Sequence, residues 1–333
     1  MSAPLEVTGS AAEAHPEALT EGLASKEIQG RSLGQIAVRR LRRDRVAVAG
    51  ALVIVLLILV AIFAPLITAV FGHDPLEFHY DQVDPDLQVS PKFFGGISPQ
   101  FLFGVEPVNG RDIFSRVVYG ARVSLLIAFF ATLLAVAVGT VAGVIAGYFG
   151  GWVDTLISRT MDVFLAFPIL LFALALVGII PDVAFGLQGD ALRIVLIIVI
   201  IGFSSWPYIG RIIRGQTLSL REREFIAAAK VLGVPTRKVL FKELLPNLVA
   251  PIVISTSLAL PSYIVTEAGL TVLGVGLTEP TPSWGLTIAA AETYYRADPL
   301  YLWLPVLAIT ILVLALSLLG DSIRDAFDPR TRR

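Results

Sequence analysis

Few residues of this chain have the types and spacing that covalent chemistry requires. There is no Cys among its 333 residues, so a thiolate nucleophile, a disulfide and a cysteine metal site are all excluded. The three histidines, His15, His73 and His79, are not at ligand spacing on any helix. His73 and His79 fall in one loop, where a shared metal is the sharper reading and a solvated loop the plainer one. No Gly-Lys pair occurs, so no P-loop can cradle nucleotide phosphates. No nucleophile–base or metal constellation can be assembled. What remains is a set of polar groups inside apolar stretches, suited to passage rather than catalysis. Glu267 follows Thr256, Ser257, Pro261, Ser262 and Thr266 in one such stretch. An ionisable group there must face protein or water, so Glu267 is a pathway candidate, although Ser and Thr at this density more often pack helices. Ser204-Ser205-Trp206-Pro207-Tyr208 is the most polar patch of another stretch and adds Ser205 as a second candidate.

The elements that position these groups are membrane spans. The chain is 55% hydrophobic and only 16% charged, with mean hydropathy +0.77, against roughly 25% charged in soluble domains. The fold class is therefore an all-α integral membrane protein. Six segments near Val46–Val70, Val123–Tyr148, Val153–Ile180, Arg193–Ile213, Val249–Val275 and Leu300–Leu319 each hold the ~20 apolar residues a crossing needs. Residues 1–31 lack periodicity and read as a disordered tail rather than a signal peptide. Residues 32–45 carry Arg39, Arg40, Arg42, Arg43 and Arg45 beside Leu33, Ile36, Ala37 and Leu41. They read as a basic amphipathic helix lying on membrane lipid, each arginine contributing ~1 kcal/mol at an anionic leaflet. A first span and long outer loop fill 46–122, five spans fill 123–320, and 321–333 form a tail.

Charge sets the orientation. Basic residues concentrate before the first span, between Arg211 and Lys242, and after the last span; with Arg159, just inside the third span, these account for 20 of the 26 Lys and Arg. The positive-inside rule puts both termini and the 211–247 loop in the cytoplasm. With a formal net charge of −1, nothing suggests nucleic acid. Within the third segment, Arg159 and Asp162 are three apart and can pair on one helix face. Pro168 should kink that segment.

The 211–247 loop is built as a knob rather than a linker. Phe225, Ala229 and Leu232 recur at i, i+4 and i+7 on one helix face. Gly233 ends that helix, Pro235 and Thr236 start a second, and Pro246 is expected to stop it after Leu244 and Leu245. Ala228, Ala229, Gly233, Leu245 and Pro246 resemble the cytoplasmic EAA loop of permease subunits in ATP-binding-cassette importers. Ala227 stands where that family usually has Glu, and Glu243 where Ile is usual; Glu224, one turn earlier, could supply the missing acid. Two further runs resemble the second permease subunit of dipeptide and oligopeptide importers. One is Gly110-Arg111-Asp112, after a loosely matching Gly104-Val105-Glu106; the other is Pro280-Thr281-Pro282-Ser283-Trp284-Gly285. The ending Gly320 to Arg330 is similar too, so the likeness extends from about Ser32 to Arg330.

The resemblance implies a type I importer permease fold with a coupling-helix hairpin. It implies that Glu224, Phe225, Ala227, Ala228, Ala229, Gly233, Leu245 and Pro246 couple to a partner ATPase. Arg111, Asp112, Pro282 and Trp284 are candidates for contact with a binding protein outside, with an interfacial anchor as the plainer reading of the adjacent charges Arg111 and Asp112. The chain would then be no enzyme and hold no cofactor, ATP and Mg being bound by two separate ATPase subunits. A second permease and an extracytoplasmic substrate-binding protein complete the partners. The cargo would be a dipeptide or oligopeptide, with nickel, glutathione or another solute as the alternative. A secondary transporter, a passive channel and an exporter permease or scaffold are the rival classes; no inverted repeat of the kind secondary transporters typically show is visible.

Overall fold

The computed structural model describes residues 33–181 and 183–327; the tail expected over 1–31 and the last six residues lie outside them. Helix α1 (Leu33–Leu41) is followed by α2 (Arg45–Ile62), α3 (Ala64–Phe71) and a long irregular segment. Then come α4 (Ile113–Phe149), α5 (Gly151–Ala166), α6 (Ile169–Ile179) and α7 (Gly189–Arg221). The hairpin contributes α8 (Glu224–Val231) and α9 (Thr236–Lys238), and α10 (Leu245–Val272), α11 (Trp284–Ala291) and α12 (Pro299–Phe327) complete the bundle. A two-residue ribbon, Val183–Ala184 against Leu187–Gln188, turns the chain into α7. Five helical segments are each long and apolar enough to cross a membrane, and α5 with α6 forms a bent sixth.

Several boundaries differ from the hydropathy reading, each for a local reason. The second span starts at Ile113 rather than Val123, because the Asp112 carboxylate accepts from the Phe114 N–H and caps the helix there. The first ends at Ile62, and Pro65 opens the separate helix α3. Pro168 does more than kink the third: α5 and α6 meet at 87°. Phe167 before it is extended (φ −85°, ψ 125°), as a residue preceding proline must be. Pro246 does not stop the second hairpin helix. A widened π turn, Val239–Leu244, feeds directly into α10, giving one run over Thr236–Val272. Pro246 sits in the first turn of α10, where the missing N–H has least to lose. The stretch after Pro282 is not a loop; Ser283 caps α11 by accepting from the Leu286 N–H at 3.1 Å.

The most extensive contact in the bundle is between α4 and α7. Gly139, Gly143 and Gly147 are four apart and share one face of α4. A Cβ on Gly139 would lie 2.7 Å from the Trp206 carbonyl, and one on Gly143 would lie 2.6 Å from the Gly210 carbonyl. One on Gly147 would meet Thr217 Cβ at 2.7 Å. The helices therefore touch backbone to backbone, the contact that small residues permit between spans. Ile197, Ile200, Ile201, Ile209 and Ile213 fill the core beside this seam. On the exterior, Leu52, Val55, Leu56, Phe129 and Leu133 are exposed, as expected of a surface solvated by lipid.

Gly143→Leu is expected to destabilise the solubilised protein by about 1–3 kcal/mol, the usual range for overpacking. Gly178→Leu, at a site with open space around it, should leave the thermal unfolding temperature nearly unchanged.

Candidate functional site

Three sites carry the polar and exposed groups that a transport function needs: the hairpin, a cavity at mid-bundle, and a charged cluster at the opposite end from the hairpin.

The hairpin is a folded unit. Glu224 occupies the first turn of α8, where a negative charge complements the helix dipole. At the other end the Gly233 N–H donates to the Lys230 carbonyl and the Val234 N–H to the Ala229 carbonyl, both at 3.0 Å. With Gly233 at φ +72°, this is a Schellman closure, which glycine adopts at little cost. Ile226, Val239 and Leu244 are fully buried beneath it, with Ala229, Val234, Tyr148 and Leu220 packed around them. The Arg221 guanidinium donates to the carbonyls of Gly147 and Tyr148, and the Lys230 ammonium lies 5.3 Å from the Tyr148 ring. Arg214 pairs with Asp154, and Arg211 with Asp162, which Arg159 also reaches at 3.6 Å. The hairpin thus bears on the ends of α4 and α7, and α7 in turn is pinned to α5.

Ile226 is the inward anchor of α8, with Ala229 half-buried beside it, while Phe225 (41%), Val231 (87%) and Leu232 (80%) are exposed. Ala227 and Ala228 are exposed beside them, and Phe241 projects from the π turn. Leu245 is half-buried and Pro246 exposed at the start of α10.

At mid-bundle, α5, α7 and α10 enclose a cavity of about 400 Å³, within the ~300–1,000 Å³ typical of small-molecule pockets. Ser204, Ser205, Tyr208, Ser262 and Tyr263 line it with hydroxyls, between Phe164, Phe167 and Leu258. It is lined by no charged side chain. The break at Pro168 opens this space by turning α6 away from α5. Ser205 lines this cavity. Glu267 does not: its carboxylate is fully buried between α4 and α10, accepting from Ser124 Oγ at 3.0 Å and Thr271 Oγ1 at 3.3 Å. An acid inside a helix pair is retained there by hydroxyl donors.

At the far end, two arginines and two glutamates alternate. Arg111 and Arg116 each pair with both Glu106 and Glu279, at 2.6 Å for Arg111 to Glu279, 3.1 Å for Arg116 to Glu106 and 3.0 Å for Arg116 to Glu279. The Tyr301 hydroxyl adds a contact to Glu106 at 3.2 Å. Burial works against the Arg111 charge, but Glu279 and Glu106 outweigh it and raise the guanidinium above its ordinary value. Asp112 holds His73 as well as Ser115, and Trp284 donates its indole N–H to the Val117 carbonyl at 2.8 Å. The sequence offered Arg111, Asp112 and Trp284 as an outer contact surface. All three are buried, holding the loop, α4 and α11 together, and only Pro282 is half-exposed. Sequence reasoning missed Glu106, Arg116 and Glu279 as one set, since Glu279 lies more than 160 residues from the arginines it joins.

The comparisons with known proteins complete the picture. Residues 139–333 match the family described as the binding-protein-dependent transport system inner membrane component. The chain belongs to that family. Residues 32–90 of this permease also match the N-terminal transmembrane domain of oligopeptide transport permease C. It is 38% identical to the dipeptide transport system permease protein of Alkalihalophilus pseudofirmus, over 89% of this chain and 90% of that one. It is 32% identical to the oligopeptide transport system permease protein of Haemophilus influenzae, over 95% and 94% of the two chains. It is 39% identical to the glutathione transport system permease protein of Shigella dysenteriae serotype 1, over 88% and 89%. Among solved structures, a chain of the MetNI methionine ABC transporter in an inward-facing conformation superposes at TM-score 0.52, with 18% identity over 65% of this chain and 98% of that one; that likeness concerns the fold. The protein is thus a multi-pass permease subunit of an ATP-binding-cassette importer in the inner membrane, and the six-span importer fold read from the sequence stands.

Arg116→Met would leave Glu106 buried without its second cation. A loss of about 3–5 kcal/mol is expected, as for other broken buried pairs, read as a lowered unfolding temperature. A second test concerns Asp298, buried just before α12. Burial raises its carboxyl, with the N–H groups of Tyr301 and Leu300 pulling the other way. The folded state then holds the proton more tightly than the unfolded chain, so this contribution is full at acid pH and is lost as pH rises through the raised value. Asp298→Asn should be more stable than the wild type at neutral pH, with the gap closing in unfolding scans as pH falls toward 4.

Proposed function

We propose that this permease imports short peptides, taking its driving force through the hairpin from separate ATPase chains. The observation that carries the coupling role is the exposed apolar face of Phe225, Val231 and Leu232 on a unit whose own core is already closed. Covering a Val or Leu side chain contributes roughly 1.5–3 kcal/mol, so a face of this kind on a charged, solvent-facing loop favours a protein partner. Ala227 and Ala228 allow its backbone to approach closely. ATP and Mg belong to those partner chains. On the charge-based orientation the hairpin and both termini are cytoplasmic, and the cluster at Arg116 faces outward.

The movement follows from stiffness. When two ATPases close on nucleotide, α8 moves with them; the Schellman end and the buried Ile226 keep it from bending, and Arg221 passes the displacement to α4. The α4–α7 seam is too close to slide, so the two helices turn together and pull at α5. A second permease closes the other half of the pathway, and an extracytoplasmic binding protein delivers cargo to the outer end, with Glu106, Arg111, Arg116 and Glu279 holding the receiving surface in shape. Three relatives are named for dipeptide, oligopeptide and glutathione transport. What these cargoes share is the amide backbone. A neutral cavity rimmed by Ser and Tyr hydroxyls can solvate amides without selecting for the charge of a side chain.

Ala228→Arg and Gly233→Val are each expected to reduce uptake of a labelled dipeptide by cells more than about ten-fold while the variant still inserts in the membrane. Full uptake by a correctly inserted Ala228→Arg chain would refute coupling through this face. In the same assay, uptake should stop on ATP depletion and persist with an ionophore, which separates the proposal from an ion-driven carrier.

A further inference from the structure

On the exterior of the bundle, α2, α4, α10 and α12 leave a groove of about 420 Å³. Its walls are apolar, with Ile54, Ile58, Leu125, Phe129 and Leu260 along them. The one charged side chain that lines it is Arg122, which is exposed and has no ion pair or hydrogen-bond partner among the described residues. Helix geometry puts this cation at one end. Arg122 precedes Phe129 by seven residues, about 10 Å along α4 at 1.5 Å per residue. It shares the lining with Ile62, the last residue of α2, while Ile54 lies about 12 Å deeper. The guanidinium is therefore level with the end of a span, at the edge of the hydrocarbon, and the trough runs inward from it.

Close by on the same helix and the loop before it, Arg111 and Arg116 are each paired with two carboxylates; Arg122 is not. An unpaired cation above an apolar trough, on a surface whose neighbours Leu126, Phe129 and Ile62 are themselves exposed, is complementary to an amphiphile with an anionic head and a hydrocarbon tail. We propose that the groove binds one anionic phospholipid, its phosphate on Arg122 and an acyl chain along Ile58, Leu125 and Phe129. On the charge-based orientation it belongs to the outer leaflet. A helix from a partner chain would fit the trough less well, since it must either bring an acid to Arg122 or bury that charge alone.

The test uses the assembled transporter with its full-length chains, stripped of lipid and titrated with phosphatidylglycerol or phosphatidylcholine under native mass spectrometry. The wild type is expected to retain one more tightly held phosphatidylglycerol than the Arg122→Gln assembly, whose affinity at this site falls about five-fold, the weight of one cation near an anionic surface. Phosphatidylcholine, whose choline cancels the phosphate charge, should respond to Arg122→Gln less than phosphatidylglycerol does. Ile58→Trp, which fills the trough and leaves the charge, should weaken binding of both lipids. The intact mass of each assembly reports that the variants fold. Phosphatidylglycerol binding unchanged in both variants would overturn the proposal, as would cross-linking of Ile58→Cys to a partner chain in place of a photoactivatable phospholipid. Uptake does not enter this readout, so its failure would leave the transport function untouched.

Discussion

Where Gly139, Gly143 and Gly147 meet α7, no side chain separates the two backbones. Carbonyls of Trp206 and Gly210 stand where a methyl group would otherwise be. Inside a membrane there is little hydrophobic gain in bringing two apolar helices together, because lipid is as apolar as they are. Close packing has to supply the contact, and close packing also makes it stiff. The mid-bundle cavity depends on this seam, since α7 carries one of its walls, and so does the hairpin, since Tyr148 and Leu220 at the ends of α4 and α7 form its floor.

The two ends of the bundle are held differently, in keeping with what each has to do. At the hairpin end the buried contacts are few and apolar, and large apolar side chains are left uncovered. At the opposite end the chain satisfies itself. Arg111, Arg116, Glu106 and Glu279 neutralise one another at close range, and because two arginines each reach two carboxylates, no single rotation frees a charge. Buried ion pairs contribute little net stability compared with apolar packing, but an unpaired member is heavily penalised. That asymmetry selects one arrangement of the loop over α4 and α11.

The features legible in the sequence were those set by local rules. Hydropathy located the crossing segments, because each must present about 20 apolar residues to lipid. Pro168 announced a bend, and Gly233 marked the end of a helix, because both act through the backbone of their own residue. The glycines of α4, four apart on one helix face, were passed over, because hydropathy does not register close packing. Less accessible were the roles of single polar groups. Glu267 looked like a pathway acid, yet Ser124, 143 positions away, turns it into a clasp between helices. Arg111 and Trp284 looked like surface contacts, and distant partners bury both.

The sequence by itself determined that the chain crosses a membrane and that one charged loop between two spans is built as a pair of short helices. These follow from composition, and from backbone preferences that act over a few residues. Only the tertiary structure decided which face of that loop stays open, which hydroxyls share a cavity, and which charges cancel. The reason is physical: burial and pairing are properties of two surfaces in contact, and the partners of Glu267, Arg116 and Trp284 lie on other helices, at separations no local pattern encodes.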